Sequence, residues 1–526
     1  MKKKLPLYLT ILLSIAFLGA CQKPASSSAS PSSKEDPSTS IISSSSTTSI
    51  ISSTTSSSSS LSSSSLESSS SSISSSEIEE DPVNFSIIAM NDTHGNVRDS
   101  SSGLGIAKTS TLINNLRKDK ETILISEGDM WQGSVESNYT KGNLFTDWMN
   151  YMGFISMTIG NHEFDWGEDP IRDNVSKADF PFLGINVINR ASGQRVDYLD
   201  ASTVVEKAGL KIGIIGAIGN CYSSISSSRV KDIRFAVQNE LTNLVKNESR
   251  RLRNEEQCDF IIYSVHGSLE RDSKETYDIS LSNDHYVDLV LEGHTHQQYA
   301  YRDTGGIYHI QGKGSNGTLN MVDINYYPTS KRYEVNNTSY TTTSYTSLAE
   351  DQQTNTIMEN YRDAYEFAYG VIGYNGRYRN STYLRIVLAS LYLEYGQNRW
   401  PSYNIFLGGG YMSARSPYNL EEGNVTYADI QSIFPFDNNI VLCSLKGDSL
   451  KENFLTSRDN YYTSLSTYGQ GIDYSEVDDN ETYYIVTDTY CSDYSYNRLT
   501  VVDVLSDGFY ARDMLAEYIR DGHFEY

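Results

Sequence analysis

The chain is poor in cysteine and in basic residues. Its 526 residues include five cysteines, and 42 Lys and Arg stand against 66 Asp and Glu, which gives a net charge of -24. So few cysteines cannot build a disulfide framework. The negative balance makes nucleic-acid polymers and anionic membrane surfaces poor partners for the folded part. Binding of an anionic ligand would therefore require positive charge at its site, from metal ions or a few arginines.

Four of the cysteines are single and far apart in the sequence: Cys221, Cys258, Cys443 and Cys491. This spacing is more typical of buried thiols than of metal ligands. A bridge between Cys221 and Cys258 stays open at this point. The fifth cysteine, Cys21, belongs to the N-terminal segment.

The apolar run near the N terminus, residues 5–17, is too short for a stable transmembrane helix. It follows Lys2-Lys3-Lys4 and precedes Leu18-Gly19-Ala20-Cys21, so residues 1–21 read as an export signal. Small residues before a cysteine resemble a bacterial lipobox. We therefore expect Cys21 to be diacylated, with the protein exported and held on the outer face of the cell membrane, since two acyl chains suffice for stable anchoring. A plain cleaved secretory signal is the alternative.

Residues 22–82 are dominated by serine and show no apolar periodicity, which predicts a flexible tether. Beyond them, β-type apolar runs alternate with helical patterns, which predicts an α/β domain over 83–335 with its chemistry at strand carboxyl ends. A linker helix is expected over 336–369 and a second α/β domain over 370–526. The predicted strands are 85–90, 122–126, 155–159, 182–188, 211–218, 260–265 and 287–291, and the predicted helices include 106–118 and 237–253.

Five short polar motifs follow these runs, and five of the eight histidines lie in them. The motifs are Asn91-Asp92-Thr93-His94-Gly95, Ser126-Glu127-Gly128-Asp129, Gly160-Asn161-His162-Glu163-Phe164-Asp165, Val265-His266-Gly267 and Gly293-His294-Thr295-His296. Their side chains offer oxygen or nitrogen and no thiolate, which favours Mn²⁺, Zn²⁺, Fe or Co²⁺ over a Cys-based structural zinc site. The candidate metal ligands are Asp92, His94, Asp129, Asn161, His266, His294 and His296. They are numerous enough for two divalent ions about 3.5–4 Å apart that share one carboxylate.

This set of motifs resembles the calcineurin-like metallophosphoesterases, specifically the 5′-nucleotidase family with the bacterial UDP-sugar hydrolases. The resemblance runs from about residue 84 to the C terminus. It implies a four-layer α/β-β-α metallophosphoesterase domain, joined by a helix to a C-terminal α/β domain that binds the substrate. It assigns one metal to Asp92, His94, Asp129 and His296, and the other to Asp129, Asn161, His266 and His294.

The same resemblance gives His162 and Asp165 a role in catalysis. They would form a dyad that stabilises the transition state and protonates the leaving oxygen, while a hydroxide bridging the two metals attacks the phosphorus. A carboxylate accepting from His162 would fix its tautomer and favour the imidazolium. Glu163 and Phe164 are interpreted as a supporting group and a packing residue.

In the second domain, the resemblance points to the substrate-binding residues Arg379, Gly409, Arg415, Phe436, Asn438 and Tyr490. Arg379 lacks the Glu and Asn that follow it in the family, and four residues separate Arg415 from the Gly408-Gly409-Gly410 run. Phe436 and Tyr490 match two aromatics that sandwich a base. Ser492-Asp493-Tyr494-Ser495 stands where the family has Gly-Gly-Asp-Gly, which leaves Asp493 as the nearest candidate for the acid that binds the ribose.

The expected activity is extracellular hydrolysis of nucleotides to nucleoside and phosphate. The same centre would also serve a UDP-sugar hydrolase or a 2′,3′-cyclic-nucleotide phosphodiesterase/3′-nucleotidase, and a non-catalytic surface binding protein is the third interpretation. The expected partners are a nucleotide or nucleotide-sugar substrate and the membrane through the lipid anchor alone. No nucleic-acid polymer and no obligate protein partner are implied.

Overall fold

The computed structural model describes residues 80–267, 286–303, 305–411, 419–452, 465–468, 477–493, 498–506 and 508–526. They belong to one compact unit, Glu77–Tyr526. The predicted export signal with Cys21, nearly all of the tether, and Arg415 lie outside the described residues. In the described part of the chain, the helices are too short or too polar to cross a membrane.

Two stacked β-sheets form the centre of the first domain. Its strands are β1 (Val83–Met90), β2 (Thr122–Ser126), β3 (Ser156–Thr158), β4 (Phe182–Leu183), β5 (Val187–Asn189), β6 (Ser202–Lys207), β7 (Leu210–Ile218), β8 (Ile233–Phe235), β9 (Phe260–His266), β10 (Leu289–Glu292), β11 (Tyr299–Arg302), β12 (Tyr308–Gln311), β13 (Thr318–Tyr327) and β14 (Arg332–Thr341). The first sheet has the order β14-β13-β1-β2-β3-β4, and the second has the order β11-β12-β10-β9-β7-β6. Strands β1 to β4 run parallel to one another, as do β7, β9 and β10. β5 and β8 pair separately.

Alternation along β1 explains the layers, because successive side chains of a strand point to opposite faces. Phe85 and Ile87 pack into the core between the two sheets. Ile88 and Met90 pack into a second core with the helices. The helices of this domain are α1 (Ile106–Leu116), α2 (Val135–Tyr139), α3 (Asn143–Met152), α4 (Asp169–Lys177) and α5 (Asn239–Asn254). Leu241 of α5 joins the core on the outer face of the second sheet, so the helix-sheet-sheet-helix layering matches the expected fold class.

The predicted strand 182–188 is two strands in different sheets. β4 ends at Leu183, and the Ile185 amide then donates to the Gly216 carbonyl of β7, at 2.8 Å. The chain therefore leaves the first sheet before β5 begins. A single apolar run cannot reveal this change of partner, because both strands are buried and their side chains are equally apolar.

The linker is broken into short pieces. β14 continues to Thr341, past the predicted domain boundary at 335. Then follow α6 (Gln352–Asn360), α7 (Arg362–Tyr365) and a 3₁₀ turn, Glu366–Tyr369. The Asp351 side chain accepts from the Thr354 amide and caps α6, which fixes where that helix begins.

The second domain holds a five-stranded sheet with the order β19-β16-β20-β18-β21 and a separate β15-β17 pair. Its elements are β15 (Val371–Asn375), α8 (Ser381–Arg399), β16 (Ile405–Tyr411), β17 (Gly423–Thr426), α9 (Tyr427–Ile433), β18 (Ile440–Lys446), α10 (Gly447–Leu450), β19 (Leu465–Tyr468), β20 (Thr482–Asp488), α11 (Thr489–Asp493), β21 (Thr500–Val504) and α12 (Ala511–Arg520). Helix α8 lies so close to β16 that a Cβ on Gly408 would come within 2.3 Å of the Ala389 carbonyl oxygen. The four described cysteines, Cys221, Cys258, Cys443 and Cys491, are buried free thiols, so Cys221 and Cys258 are not bridged.

Candidate metal centre

Each of the five polar motifs begins where a strand ends. Asp92 follows β1, Asp129 follows β2, and Asn161 follows β3 in the first sheet. In the second sheet, His266 ends β9, and the loop with His294 follows β10. Because these strands run parallel within each sheet, their carboxyl ends lie at one edge. The fold therefore brings the motifs together as predicted.

The turns hold unusual backbone conformations. Five of the candidate ligands have a positive φ angle: Asp92 (50°), His94 (48°), Asp129 (54°), His294 (81°) and His296 (57°). A positive φ is uncommon outside glycine and concentrates at functional sites. The crowding also explains Gly160, where a Cβ would come within 2.3 Å of Asp129 Oδ1. The turns thus hold unfavourable backbone conformations in order to place the side chains of the candidate ligands.

The first group of ligand atoms consists of Asp92, His94 and His296. Nε2 of His296 lies 2.9 Å from Nε2 of His94 and 3.2 Å from Oδ1 of Asp92. Nε2 of His94 lies 3.8 Å from the same Asp92 oxygen. These three ligand atoms therefore point to one place.

The second group consists of Asn161, His266 and His294. Oδ1 of Asn161 is 3.2 Å from Nε2 of His266 and 3.1 Å from Nδ1 of His294. Oδ2 of Asp129 lies between the two groups, 3.1 Å from Nε2 of His266 and 4.0 Å from Nε2 of His94. Asp129 is therefore in position to belong to both groups, and Oδ1 of Asp92, at 3.9 Å from Nε2 of His266, also approaches the second group.

The residues present fit divalent cations. Asp92 Oδ1 is buried and accepts no hydrogen bond among the described residues, although leaving a buried polar atom unpaired costs about 1–3 kcal/mol. Nε2 of His94 and Nε2 of His296 lie 3.8 Å and 3.2 Å from it. A carboxylate, an amide oxygen and imidazole nitrogens are the donors that borderline divalent metals prefer. A cation at this point would be bound by Oδ1 of Asp92 and by Nε2 of His94 and His296, three atoms that face one another.

The electrostatics agree with a cation site. Burial by itself would raise the pKa of Asp129, but His266 and His162 hold it well below its usual range. Burial lowers the pKa of His266, and the negative charge of Asp129 and Asp92 outweighs this and raises it to about 10. The carboxylates thus draw a positive charge onto the imidazole, and a metal ion on Nε2 would take the place of that proton.

Backbone carbonyls orient two of the histidines. His266 Nδ1 lies 2.7 Å from the Glu127 carbonyl oxygen, and His94 Nδ1 lies 3.1 Å from the Gln132 carbonyl oxygen. A carbonyl only accepts, so Nδ1 carries a proton in each ring and Nε2 is the nitrogen that a metal ion would bind.

Glu163, given a supporting role from the sequence, joins the turns of two motifs. Its carboxylate accepts the amides of Asp129 at 3.0 Å, Met130 at 2.8 Å and Gly160 at 2.8 Å. Burial and the nearby Asp129 raise its pKa to about 7, against the effect of these amides. Its acceptor atoms therefore fix the Asp129 turn relative to the Asn161 turn.

The His162–Asp165 dyad forms beside the metal ligands. Both residues lie in the 3₁₀ turn His162–Trp166, which brings Nδ1 of His162 within 2.8 Å of Oδ2 of Asp165. The His162 amide also donates to Asp129 Oδ1 at 2.8 Å. Asp129, which lies between the two ligand groups, therefore also holds the dyad in place.

Phe436 of the second domain reaches this site. Its ring stacks on the His162 ring, with 5.6 Å between centroids and 28° between planes. The carbonyl of the preceding Pro435 accepts from Gln132 at 3.3 Å and from Asn138 at 2.9 Å. The loop between α9 and β18 thus connects the second domain to the predicted dyad.

Sequence reasoning missed the residues that hold this loop. The Asp437 side chain pairs with Lys141 at 2.8 Å and with Arg512, while Arg229 donates to the Asp437 carbonyl at 2.8 Å. These four residues come from distant parts of the chain and share no motif, so no sequence pattern pointed to them.

Other predicted substrate residues lie elsewhere. Arg379 is buried, bonds Asn375 and the Tyr526 carbonyl, and stacks on the Phe524 ring at 4.1 Å. Its guanidinium therefore holds the C-terminal residues in place, and its contact with substrate stays a prediction. Gly409 lies in β16, Asn438 is half-buried after Phe436, and Tyr490 is half-buried in α11. The Asp493 carboxylate bonds the Ser226 hydroxyl of the first domain.

Comparison with known proteins gives two family matches. Residues 85–298 match the calcineurin-like phosphoesterase family, and residues 405–470 match the 5′-nucleotidase C-terminal domain. The protein UshA of Yersinia enterocolitica is 24% identical over 516 residues, which is 84% of this chain and 89% of that protein.

Two further similarities involve an animal protein and a solved structure. An apyrase of Tabanus yao is 33% identical over 193 residues, and this chain spans only about a third of its length, 33%. The crystal structure of a 5′-nucleotidase precursor from Thermus thermophilus matches the fold with a TM-score of 0.65, at 17% identity, over 83% of this chain and 96% of that one. Since the motifs, the fold and both domain matches agree, the chain belongs to the calcineurin-like phosphoesterases with a 5′-nucleotidase C-terminal domain, a family of phosphate-ester hydrolases.

Proposed function

We propose that this protein hydrolyses nucleoside 5′-monophosphates to nucleoside and phosphate with two divalent metal ions. The observation that carries the proposal is the stacking of Phe436 on His162. It brings an aromatic ring of the C-terminal domain to the dyad, beside the ligand cluster. A substrate with a phosphate at one end and a flat base at the other suits that juxtaposition.

One metal ion would be held by Asp92, His94 and His296, and the other by Asn161, His266 and His294, with Asp129 shared. Two such ions act as Lewis acids and make water nucleophilic at neutral pH. The protein itself contributes the rigid placement of the donors, through the strand ends and the amides that Glu163 accepts.

His162 would act as the proton donor to the leaving oxygen. With Nδ1 donating to Asp165, the imidazolium is favoured and its other nitrogen can donate. The same positive charge offsets the charge that develops on the phosphoryl oxygens. Asp165 orients the ring and is not consumed in the step.

Phe436 would provide the surface on which the base stacks. In this arrangement its ring lies on His162, so a nucleotide has to enter between the two or displace the loop. Base stacking on an aromatic ring contributes about 1–3 kcal/mol. UDP-sugars and 2′,3′-cyclic nucleotides remain the alternative substrates, because the same metal centre would serve all of them.

The test is a hydrolysis screen of AMP, UDP-glucose, ATP and 2′,3′-cyclic AMP with Mn²⁺, Zn²⁺ and Co²⁺ added in turn. We expect phosphate release from AMP, fastest of the four substrates. Asp129→Ala should lose both metals by elemental analysis and all activity, while Asp173→Ala, an exposed change on α4, should keep both. Full metal occupancy in Asp129→Ala would overturn the shared-ligand assignment, and a preference for UDP-glucose would replace the proposed substrate.

We further propose that the protein works outside the cell, tethered through a diacylated Cys21. The support is the sequence Leu18-Gly19-Ala20-Cys21 after a short apolar run, with a serine-rich segment beyond it. Cys21→Ser should abolish acyl labelling and leave the protein released or unprocessed. Acyl label and membrane fractionation that persist in Cys21→Ser would refute the anchor.

A further inference from the structure

A thiol lies next to the candidate metal centre. Cys221 sits in the 3₁₀ turn Asn220–Ser224 that follows β7. β7 pairs in parallel with β9 so that Ile218 lies opposite His266, and the Gly219 amide donates to the His266 carbonyl at 2.8 Å. Strand pairing therefore delivers Cys221 to the carboxyl edge where the ligands meet.

The position of the sulfur suits a metal ligand. Sγ of Cys221 and one ring nitrogen each of His266 and His294 all lie within 4.8 Å of one another. Zinc–sulfur and zinc–nitrogen bonds are about 2.3 Å and 2.0–2.1 Å long, so two ligands of one ion lie up to about 4.4 Å apart. The 4.8 Å limit slightly exceeds that span, so the sulfur, which donates to the His266 carbonyl at 2.8 Å, would have to rotate towards a cation held by the two histidines.

Cys221 differs in this respect from the other cysteines of the described chain. Cys258, Cys443 and Cys491 are buried in apolar cores, and among the described residues none of them belongs to a cluster of metal-ligating groups. Cys221 is also buried, at 2% exposure, and is itself part of the apolar core that the helices form with the first sheet. The sequence favoured a plain buried thiol at this position, and the tertiary structure gives it two histidine neighbours.

We propose that Cys221 is an additional ligand of the group formed by Asn161, His266 and His294, and that it makes this half of the centre prefer thiophilic ions such as Zn²⁺ over Mn²⁺. The proposal rests on the metal centre of the proposed function. In the step, a metal–sulfur bond forms, the S–H bond and its hydrogen bond to the His266 carbonyl break, the proton passes to solvent, and no oxidation state changes. The other donors are oxygen and nitrogen, so one thiolate shifts the set towards softer metals.

The experiment uses the intact protein loaded with Co²⁺ or Zn²⁺. We expect a near-ultraviolet sulfur-to-cobalt charge-transfer band, and in the zinc form an X-ray absorption shell from sulfur at about 2.3 Å. Cys221→Ser should lose both features, and Cys258→Ser, a buried thiol of the same domain, should keep them. After equilibration with equal Zn²⁺ and Mn²⁺, the bound Zn-to-Mn ratio should fall about tenfold or more in Cys221→Ser, the scale expected for losing a residue that supports a metal site.

Each outcome of this experiment either supports or overturns the role of Cys221 as a metal ligand. A metal-loaded wild-type protein whose spectra contain nitrogen and oxygen alone overturns the role of Cys221 and leaves the proposed function standing. A wild-type protein that binds no divalent metal overturns both. Should Cys221→Ser fail to fold, the X-ray absorption of the wild-type zinc form decides alone, because it needs no variant.

Discussion

At the scale of single residues, His162 combines several contacts that bear on the proposed catalysis. Its Nδ1 meets Asp165, its amide donates to Asp129, and its ring lies between those of His94 and Phe436. Those contacts fix the ring in one orientation. A fixed donor costs little reorganisation when charge develops in the transition state.

We predict that His162→Ala keeps its metals and loses about 2.7–4 kcal/mol of transition-state stabilisation, or roughly 10²–10³-fold in kcat, the range measured for losing one such donor. AMP hydrolysis at saturating substrate measures the loss, and elemental analysis checks the metals. His523→Ala, an exposed histidine near the C terminus, is the control. A wild-type rate in His162→Ala would exclude His162 from catalysis.

At the scale of elements, Glu163 connects two turns that belong to neighbouring strands. Three buried amides donate to its two carboxylate oxygens. In Glu163→Gln, one of these oxygens becomes an NH₂ group that faces an amide donor.

Because a buried donor without an acceptor costs about 1–3 kcal/mol, Glu163→Gln should lower the free energy of unfolding by about that amount. The displaced turn should also weaken metal binding. Denaturant titration and metal titration measure the two effects, with a substitution of the exposed Glu121, Glu121→Gln, as the control. If the stability and metal affinity of Glu163→Gln equal those of the parent, the three hydrogen bonds do not hold the site.

A second element-level prediction concerns the junction of β20 and α11. The Asp488 side chain accepts the Cys491 amide at 2.9 Å, and burial raises its pKa to about 7 from the model-peptide value of 3.8. The folded state therefore favours the protonated acid. The stability that this group contributes is fully present below pH 3.8 and is lost as the pH rises through about 7.

Asp488→Asn mimics the neutral form at every pH. A shift of about three pKa units corresponds to at most about 4 kcal/mol, so the variant should be more stable than the parent at pH 8, and the difference should shrink towards pH 4. Denaturant unfolding at both pH values measures this, with Asp521→Asn as the exposed control. An equal difference at both pH values would refute the titration of Asp488.

At the scale of the whole molecule, the two domains meet through polar contacts around Asp437 and through aromatic rings. Lys141 and Arg229 of the first domain bond Asp437. Tyr139 packs edge-on against Phe367 of the linker, with 4.8 Å between ring centroids. The interface is therefore both polar and aromatic.

Phe436→Ala tests whether that interface serves substrate binding. We predict a loss in kcat/KM for AMP of about 1–3 kcal/mol, roughly 5- to 150-fold. p-Nitrophenyl phosphate, which has no base, should change little. Equal losses for both substrates would show that Phe436 supports His162 by packing and does not bind the base.

The gathering of the five polar motifs at one edge follows from the sequence, because each motif has a local physical cause. An apolar run forms a buried strand, the polar turn after it cannot remain inside the sheet, and parallel strands place such turns at one edge. Most strands therefore agree with the structure to within a residue or two. The prediction of a single strand over 182–188 was wrong because burial alone does not determine which of two sheets a strand joins. The predicted linker helix is several short elements because its parts pack on different neighbours.

What the sequence by itself determined, then, were the strands, the ligand-type side chains and their order along the chain. The tertiary structure decided the contacts between residues far apart in sequence. It sets Cys221 against His266 and His294, joins Asp437 to Lys141, and uses Arg379 to hold the C-terminal Tyr526. The physical reason is that a strand or a turn follows from neighbouring residues, whereas the partner of a lone thiol, acid or arginine depends on which elements pack beside it.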